Sequence, residues 1–378
     1  KLLHSADWHL DAPLSGFSPE QRQMLRRAQL TIPERIADLC RRENCDLVLL
    51  AGDLFDGAPS RETMETVKAA LARCAVPVFV SPGNHDFCGP GSPWPEETWP
   101  ENVHIFTGAP ESVVLENLNC RIWGAGFRSM DCPPLLENFR AEGCEAYAIG
   151  LFHGDPSQTN SPYNPVTAAQ VRESGLDYLA LGHIHKAGSF RAGSTLCGWP
   201  GCPMGRGNDE CGAKGVYLVD TDEKTIRFLP LDTPRFYDLE VEVTSTPADA
   251  VRNALPAVGN EDFFRIALIG ECEPFETLSS PQFPNLTIRD SYFNMKQHIE
   301  PVMFIIDRAK AAMKAVGMEA HEVPIRGGTD GARLSYEGLP CPNLCTGGEN
   351  YHGRFEFIPA EDMELCVRML VQILYSAE

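Results

Sequence analysis

The chain has 378 residues, 43% of them hydrophobic, which is too long for one small core and points to two or three domains. A formal net charge of −20 excludes a long basic tract, so any grip on a phosphate backbone must be borrowed from a partner. No apolar run reaches the length of a membrane span, the N-terminus lacks the shape of a signal peptide, and the 14 scattered cysteines read as reduced thiols of a cytoplasmic protein.

A first strand starts at Leu2-Leu3-His4 and runs into Asp7-Trp8-His9. Leu47-Val48-Leu49-Leu50-Ala51 is wholly apolar and ends in Gly52-Asp53. Arg61 to Arg73 has helical spacing, with Met64, Val67, Lys68 and Leu71 near one stripe. Val78-Phe79-Val80 leads to Gly83-Asn84-His85-Asp86. Tyr147 to Phe152 leads to His153-Gly154, and Tyr178 to Leu181 leads to Gly182-His183-Ile184-His185. Short apolar strands alternating with helices predict an α/β sheet covered on both faces. Such sheets place their sites at the carboxyl ends of strands, where all five motifs fall.

Beyond His185 the texture changes to short β segments, Gly215 to Val219 and Thr225 to Leu229, after a Gly- and Pro-rich loop from Gly198 to Gly207. Thr233-Pro234 is a domain boundary. Strand Leu239 to Val243, helix Ala248 to Leu255 and strand Phe263 to Ile269 make a small α+β module ending near Asp290. From Ser291 two helical patterns, Ile299 to Val316 and Ala360 to Tyr375, flank a loop-rich centre. The expected domains are therefore 1–232, 233–290 and 291–378.

Asp7 and His9 are two residues apart, so on an extended chain both side chains emerge on one side. His183 and His185 repeat the spacing. Mixed carboxylate and imidazole donors suit Mn²⁺, Fe²⁺ or Zn²⁺ better than Ca²⁺. Asp53 has two oxygens with which to bridge cations, and Asn84 offers a neutral amide oxygen. Two adjacent metals activate water, clamp a phosphoryl oxygen and stabilise the leaving oxygen. His85 is suited to give that oxygen a proton or hydrogen bond. Singly, each motif has a bland reading: a surface triplet, a turn, a core histidine. Their joint occurrence after strands is what points to a two-metal site. Asp56 and Asp86 either orient histidines or cap turns. His4, His104, His298 and His321 are assigned no role.

The five motifs resemble those of the calcineurin-like metallophosphoesterase superfamily. Leu3-His4-Ser5-Ala6-Asp7-Trp8-His9-Leu10, Gly52-Asp53-Leu54-Phe55-Asp56 and Pro200-Gly201-Cys202-Pro203-Met204-Gly205 resemble its SbcD-type DNA-repair exonuclease branch. The resemblance runs from Leu2 to about Asp290 and implies a four-layer α/β/β/α sandwich followed by a small α+β capping domain. It implies one metal on Asp7, His9, Asp53 and His185 and another on Asp53, Asn84, His153 and His183, with His85 as the catalytic non-ligand. It further implies manganese, a DNA substrate, an SbcC-type coiled-coil ATPase partner and possible homodimers.

From Ser291 onward the chain resembles a different family, the carboxyl end of peptidase T, a dinuclear zinc tripeptide aminopeptidase. The matching stretches are Ile325 to Ala332, Gly338 to Asn343 and Thr346 to Gly353. This implies a partial α/β peptidase-like tail in which His352 stands at the last zinc-ligand position. The family's other ligands belong to an upstream part that is replaced here, and one imidazole cannot hold a catalytic zinc pair. Arg326, Asp330 and His352 therefore read as relics. The join at Asp290-Ser291 has no linker-like Gly/Ser run, which favours an accidental junction over a tethered module. With only part of its parent's core, the tail is expected to pack poorly or expose apolar surface.

Mn²⁺-dependent hydrolysis of DNA, by exo- or endonuclease action, is the leading expectation. A phosphatase or cyclic-nucleotide phosphodiesterase shares the chemistry and suits the acidic charge. A non-catalytic subunit would not need a full set of ligands, and tripeptidase activity needs ligands the chain lacks.

Overall fold

The computed structural model describes residues 1–143, 145–243, 247–256, 261–270, 295–323, 329–351 and 355–376. They fall into two compact units, 1–275 and 276–378. The described cysteines are free thiols, and no described helix is long and apolar enough to cross a membrane.

In chain order the first unit contains β1 (Leu2–Ser5), α1 (Pro19–Arg42), β2 (Leu47–Leu50), α2 (Arg61–Arg73) and β3 (Val78–Val80). Then come the one-turn α3 (Pro93–Glu96), β4 (Val103–Ile105), β5 (Glu111–Leu115), β6 (Cys120–Gly124) and β7 (Tyr147–His153). It continues with α4 (Ala168–Glu173), β8 (Tyr178–Gly182), β9 (Gly188–Ala192), β10 (Thr195–Trp199), β11 (Gly215–Asp220) and β12 (Thr225–Pro230). The first sheet has the order β12-β11-β1-β2-β3-β4 and the second β5-β6-β7-β8-β10-β9. Strands β1 to β4 are parallel, as are β6, β7, β8 and β10.

The two sheets face each other. Leu2, Leu47, Leu49 and Phe79 from one meet Ile122, Ile149, Leu151 and Tyr178 from the other in a single buried cluster. On the outer face of the first sheet, Leu25, Ile32 and Ile36 of α1 and Val67 and Leu71 of α2 cover Leu3, Val48, Leu50, Val78 and Val80. On the outer face of the second, Val171 of α4 and Leu176 cover Phe152, Leu179 and Leu181. Each such side chain stabilises the fold by roughly 1.5–3 kcal/mol when fully buried. The result is the expected four-layer α/β/β/α sandwich. Capping boxes fix where helices begin: Ser18 Oγ accepts from the Gln21 N–H at 3.3 Å, and Thr167 does the same for Gln170.

The unit ends with β13 (Phe236–Val243), α5 (Pro247–Ala254) and β14 (Phe263–Gly270), whose strands pair in parallel. The second unit holds α6 (Lys296–Ile299), α7 (Phe304–Ala315), α8 (Asp330–Tyr336) and α9 (Ala360–Tyr375). The continuous helix expected from Ile299 is broken by a 3₁₀ turn, Glu300–Val302, because Pro301 has no N–H to donate. Within the expected loop, α8 is started by Thr329, whose Oγ1 accepts from the Ala332 N–H at 3.2 Å. Along α9, Met363, Val367, Leu370, Val371 and Leu374 are exposed on one helical stripe. Arg326, His352 and the Asp290-Ser291 join lie outside the described residues.

Candidate metal centre

All five motifs gather at the carboxyl ends of β1, β2, β3, β7 and β8. The local backbone differs from the extended chain expected at Asp7 and His9. Both residues are left-handed, with φ of 54° and 44°, as is Asp53 at 52°. Their N–H groups are drawn to the second loop: Asp7 donates to Gly52 O and His9 to Asp53 O, each at 2.9 Å. Left-handed backbone costs about 1–2 kcal/mol per residue, and these bonds hold it in place. Gly52, with φ of 87°, is required on two counts, since a Cβ there would lie 2.5 Å from His153 Nδ1.

Asp7, His9, Asp53, Asn84 and His153 are buried, His183 and His185 half-buried. Three clusters of metal-ligating side chains form here: Asp7 with His9 and His185, Asp53 with His153 and His183, and His9 with Asp53 and His85. Asp53 links them, its Oδ2 lying 3.7 Å from His9 Nε2 and 3.4 Å from His153 Nε2. Asn84 Oδ1 is 3.0 Å from His153 Nε2 and 3.1 Å from His183 Nδ1. His9 Nε2 and His185 Nε2 stand 3.1 Å apart. Asp7 is aimed by the His183 N–H, which it accepts at 2.9 Å.

Whether these groups fit cations is decided by the far side of each ring. Ala51 O can only accept, so His153 Nδ1, 2.8 Å away, carries a hydrogen and Nε2 is the nitrogen left to face a cation. His9 Nδ1 reaches Asp56 Oδ1 at 3.3 Å and His185 Nδ1 reaches Glu210 Oε1 at 2.6 Å, with the same consequence. The Nε2 atoms of these three rings and the oxygens of Asp7, Asp53 and Asn84 thus converge in a buried pocket. That is the donor set a pair of divalent cations takes.

Burial pushes the His183 pKa down to about 4 and lowers that of His9, so both rings are neutral at pH 7; at His153 and His185 burial is outweighed, by Asp53 and Asp7 at the first, which rises to about 9, and by Glu210 and Asp7 at the second, so there a cation would take the place of a proton. Burial opposes the charge on Asp53, but the His153 imidazole, raised toward its charged form, and the His85 N–H outweigh it and hold the carboxyl below its usual range. His85 is 43% exposed, with Nδ1 2.8 Å from Asp56 Oδ1. That hydrogen bond raises the His85 pKa, and those from His85 and His9 keep Asp56 ionised.

Asp56 thus contacts the rings of two histidines, His9 and His85. Asp86 does not. It accepts from the N–H groups of Gly83, Leu54, Asp53 and Phe55 at 2.7, 2.8, 3.2 and 3.3 Å, clamping the two loops together. Burial and the charge of Asp53 push its pKa up to about 7. Sequence reading missed Glu210 and Arg206, which lie past the Pro200–Gly205 run, and Asn164, whose side-chain amide donates to His153 O at 2.7 Å. No spacing pattern marks them.

Residues 1–187 match the family described as calcineurin-like phosphoesterase. Over those residues the chain is similar to calcineurin-like phosphoesterases. The uncharacterized metallophosphoesterase YhaO of Bacillus subtilis (strain 168) is 35% identical over 241 residues, 60% of this chain and 59% of that protein. The chain thus spans about three-fifths of that relative. A C-terminal segment is similar to peptidase T: the protein from Alkaliphilus oremlandii (strain OhILAs) is 55% identical over 94 residues, 24% of this chain and 23% of that one. Among solved structures, TT1561 of Thermus thermophilus aligns with 61% of this chain and 97% of its own at 13% identity and a TM-score of 0.39. Metallophosphoesterases of this family bind two divalent metals, in keeping with the donor clusters above.

Proposed function

We propose that the phosphoesterase domain hydrolyses phosphodiester bonds in DNA, as the nuclease subunit of an SbcCD-like repair complex with Mn²⁺ as its metal. The convergence of imidazole nitrogens on the oxygens of Asp53 and Asn84, with His85 exposed beside them, carries the hydrolase reading. Asp7, His9, Asp53 and His185 would hold one cation and Asp53, Asn84, His153 and His183 the other. When bound, the pair supplies positive charge to the phosphoryl group and an activated water as nucleophile.

The chain's own residues do the rest. Asp53 would serve both positions and Asp7 one of them, and Asn84 would contribute an oxygen without adding charge. His85, held through Nδ1 by Asp56, has Nε2 to offer the leaving oxygen, and the nearby carboxylates favour its protonated form. The SbcD-like runs at Leu3–Leu10 and Gly52–Asp56 support DNA as the substrate. A charge of −20 supports a partner, an SbcC-like coiled-coil ATPase, that supplies the backbone grip.

The same charge favours a second reading, hydrolysis of small phosphomonoesters or cyclic nucleotides. Incubation with Mn²⁺ and either linear duplex DNA or a chromogenic phosphodiester tests both. Cleavage of DNA supports the first, and turnover of the small ester with intact DNA supports the second.

A further inference from the structure

We infer that Glu210, clamped by Arg206, is the positioning residue for His185, and that the pair sets the affinity of one metal position without setting that of its neighbour. The inference rests on the two-metal reading above. Glu210 lies in the loop between β10 and β11, outside every motif, yet it is buried. Its Oε1 faces His185 Nδ1 at 2.6 Å and accepts from Arg206 Nη2 at 2.8 Å. Its Oε2 accepts from the Arg206 backbone N–H at 2.8 Å and from Nε at 3.4 Å.

These contacts decide the tautomer of His185. Arg206 Nη2 also lies 3.0 Å from His185 Nδ1 and could donate to a lone pair there. A lone pair on Nδ1, however, would sit against a carboxylate oxygen 2.6 Å away, which is repulsive. The hydrogen therefore belongs on Nδ1, and Nε2, which stands 3.1 Å from His9 Nε2, is the nitrogen left to face a cation. The surrounding loop holds the ring's backbone as well. Lys214 Nζ donates to His185 O at 3.2 Å, and Gly201, with φ of 75°, passes so close that a Cβ would lie 2.5 Å from that oxygen.

The other metal position has no such support. His153 Nδ1 donates to the neutral carbonyl of Ala51, and the Nδ1 of His183 faces Asn84 itself. A carboxylate behind an imidazole makes it a stronger base towards a cation than a peptide carbonyl does. Glu210 therefore acts on the Asp7–His9–His185 cluster alone.

The test is Mn²⁺ titration of the full chain by calorimetry, wild type against Glu210→Gln, which keeps the shape and removes the charge. One of the two binding events is expected to weaken by about 10–100-fold while the other stays within about twofold and the melting temperature holds. Arg206→Lys, which keeps charge but loses the fork, should weaken the same event less. Nitrogen chemical shifts of His185 should show Nδ1–H in the wild type and a mixture of tautomers in Glu210→Gln. Two unchanged binding events in Glu210→Gln would overturn the inference. So would equal weakening of both together with a fall in melting temperature, which marks a merely structural role. A wild-type chain that takes up fewer than two Mn²⁺ would instead defeat the two-metal reading, before any variant is compared.

Discussion

Replacing Gly83 with alanine should disable the metal centre while leaving the sheets that carry it intact. A Cβ at this position would lie 2.3 Å from Asp53 Oδ1, 2.9 Å from its Cγ and 2.8 Å from His153 Cε1. Ordinary contact starts at 3.4 Å, so the Asp53 carboxylate must retreat by roughly 1 Å. The backbone at Gly83 is not left-handed and accepts alanine, so the side chain of Asp53 is what yields. Retreat pulls Oδ1 from the His85 N–H, which it accepts at 2.8 Å, a hydrogen bond to a charged group worth about 1.5–3 kcal/mol. A displacement of 1 Å at a bridging ligand is expected to cost about 10²-fold in rate. Calorimetric Mn²⁺ titration, hydrolysis of a chromogenic phosphodiester and thermal melting read the three consequences separately. The expected result is weaker uptake at both positions and about 10²-fold slower turnover, with a loss of only a few degrees in melting temperature. Wild-type uptake and turnover in Gly83→Ala would show that Asp53 is not the shared ligand, and the reasoning would fail.

His85→Asn should lower kcat by about 10²–10⁴-fold and leave Mn²⁺ stoichiometry at its wild-type value, because the residue acts beside the metals rather than on them; undiminished cleavage would remove it from the mechanism. His4 is buried and neutral, its Nε2 donating to Leu181 O at 3.0 Å and its Nδ1 accepting from Tyr178 OH at 2.7 Å, and burial lowers its pKa to about 3. A histidine depressed below its unfolded value of about 6.5 contributes stability that is complete above pH 6.5 and is lost as the pH falls towards 3. Urea unfolding should therefore show the wild type losing about 2 kcal/mol between pH 6.5 and 5 that His4→Gln does not lose; parallel pH profiles would contradict this. The exposed stripe on α9 predicts that limited proteolysis trims the tail while residues 1–275 survive, and one cooperative melt with equal resistance would argue otherwise.

Much of the sandwich was legible because its central strands are short apolar runs, and a run such as Leu47–Leu50 has few alternatives. The same feature put each ligand at a strand end. What escaped depends on longer-range pairing. The left-handed turns at Asp7 and His9 arise because their N–H groups bond to Gly52 and Asp53, more than 40 residues away, and nothing local calls for them. Strands β6 and β9 break their apolar residues with Arg121 and Arg191 and lack an apolar run, so they left little signal. Asp86 sits in a motif beside His85, which suggested a partner for histidine, but four backbone N–H groups claim its oxygens. Glu210 was hidden for the opposite reason: it reaches His185 across a loop without a recognisable spacing.

Counting cations tests the account most directly. Exhaustive dialysis of the full chain against Mn²⁺, followed by elemental analysis, should find two ions per chain, and Asp53→Asn should retain at most one because both positions draw on that carboxylate. One ion or none in the wild type, or two in Asp53→Asn, would contradict a centre built around Asp53.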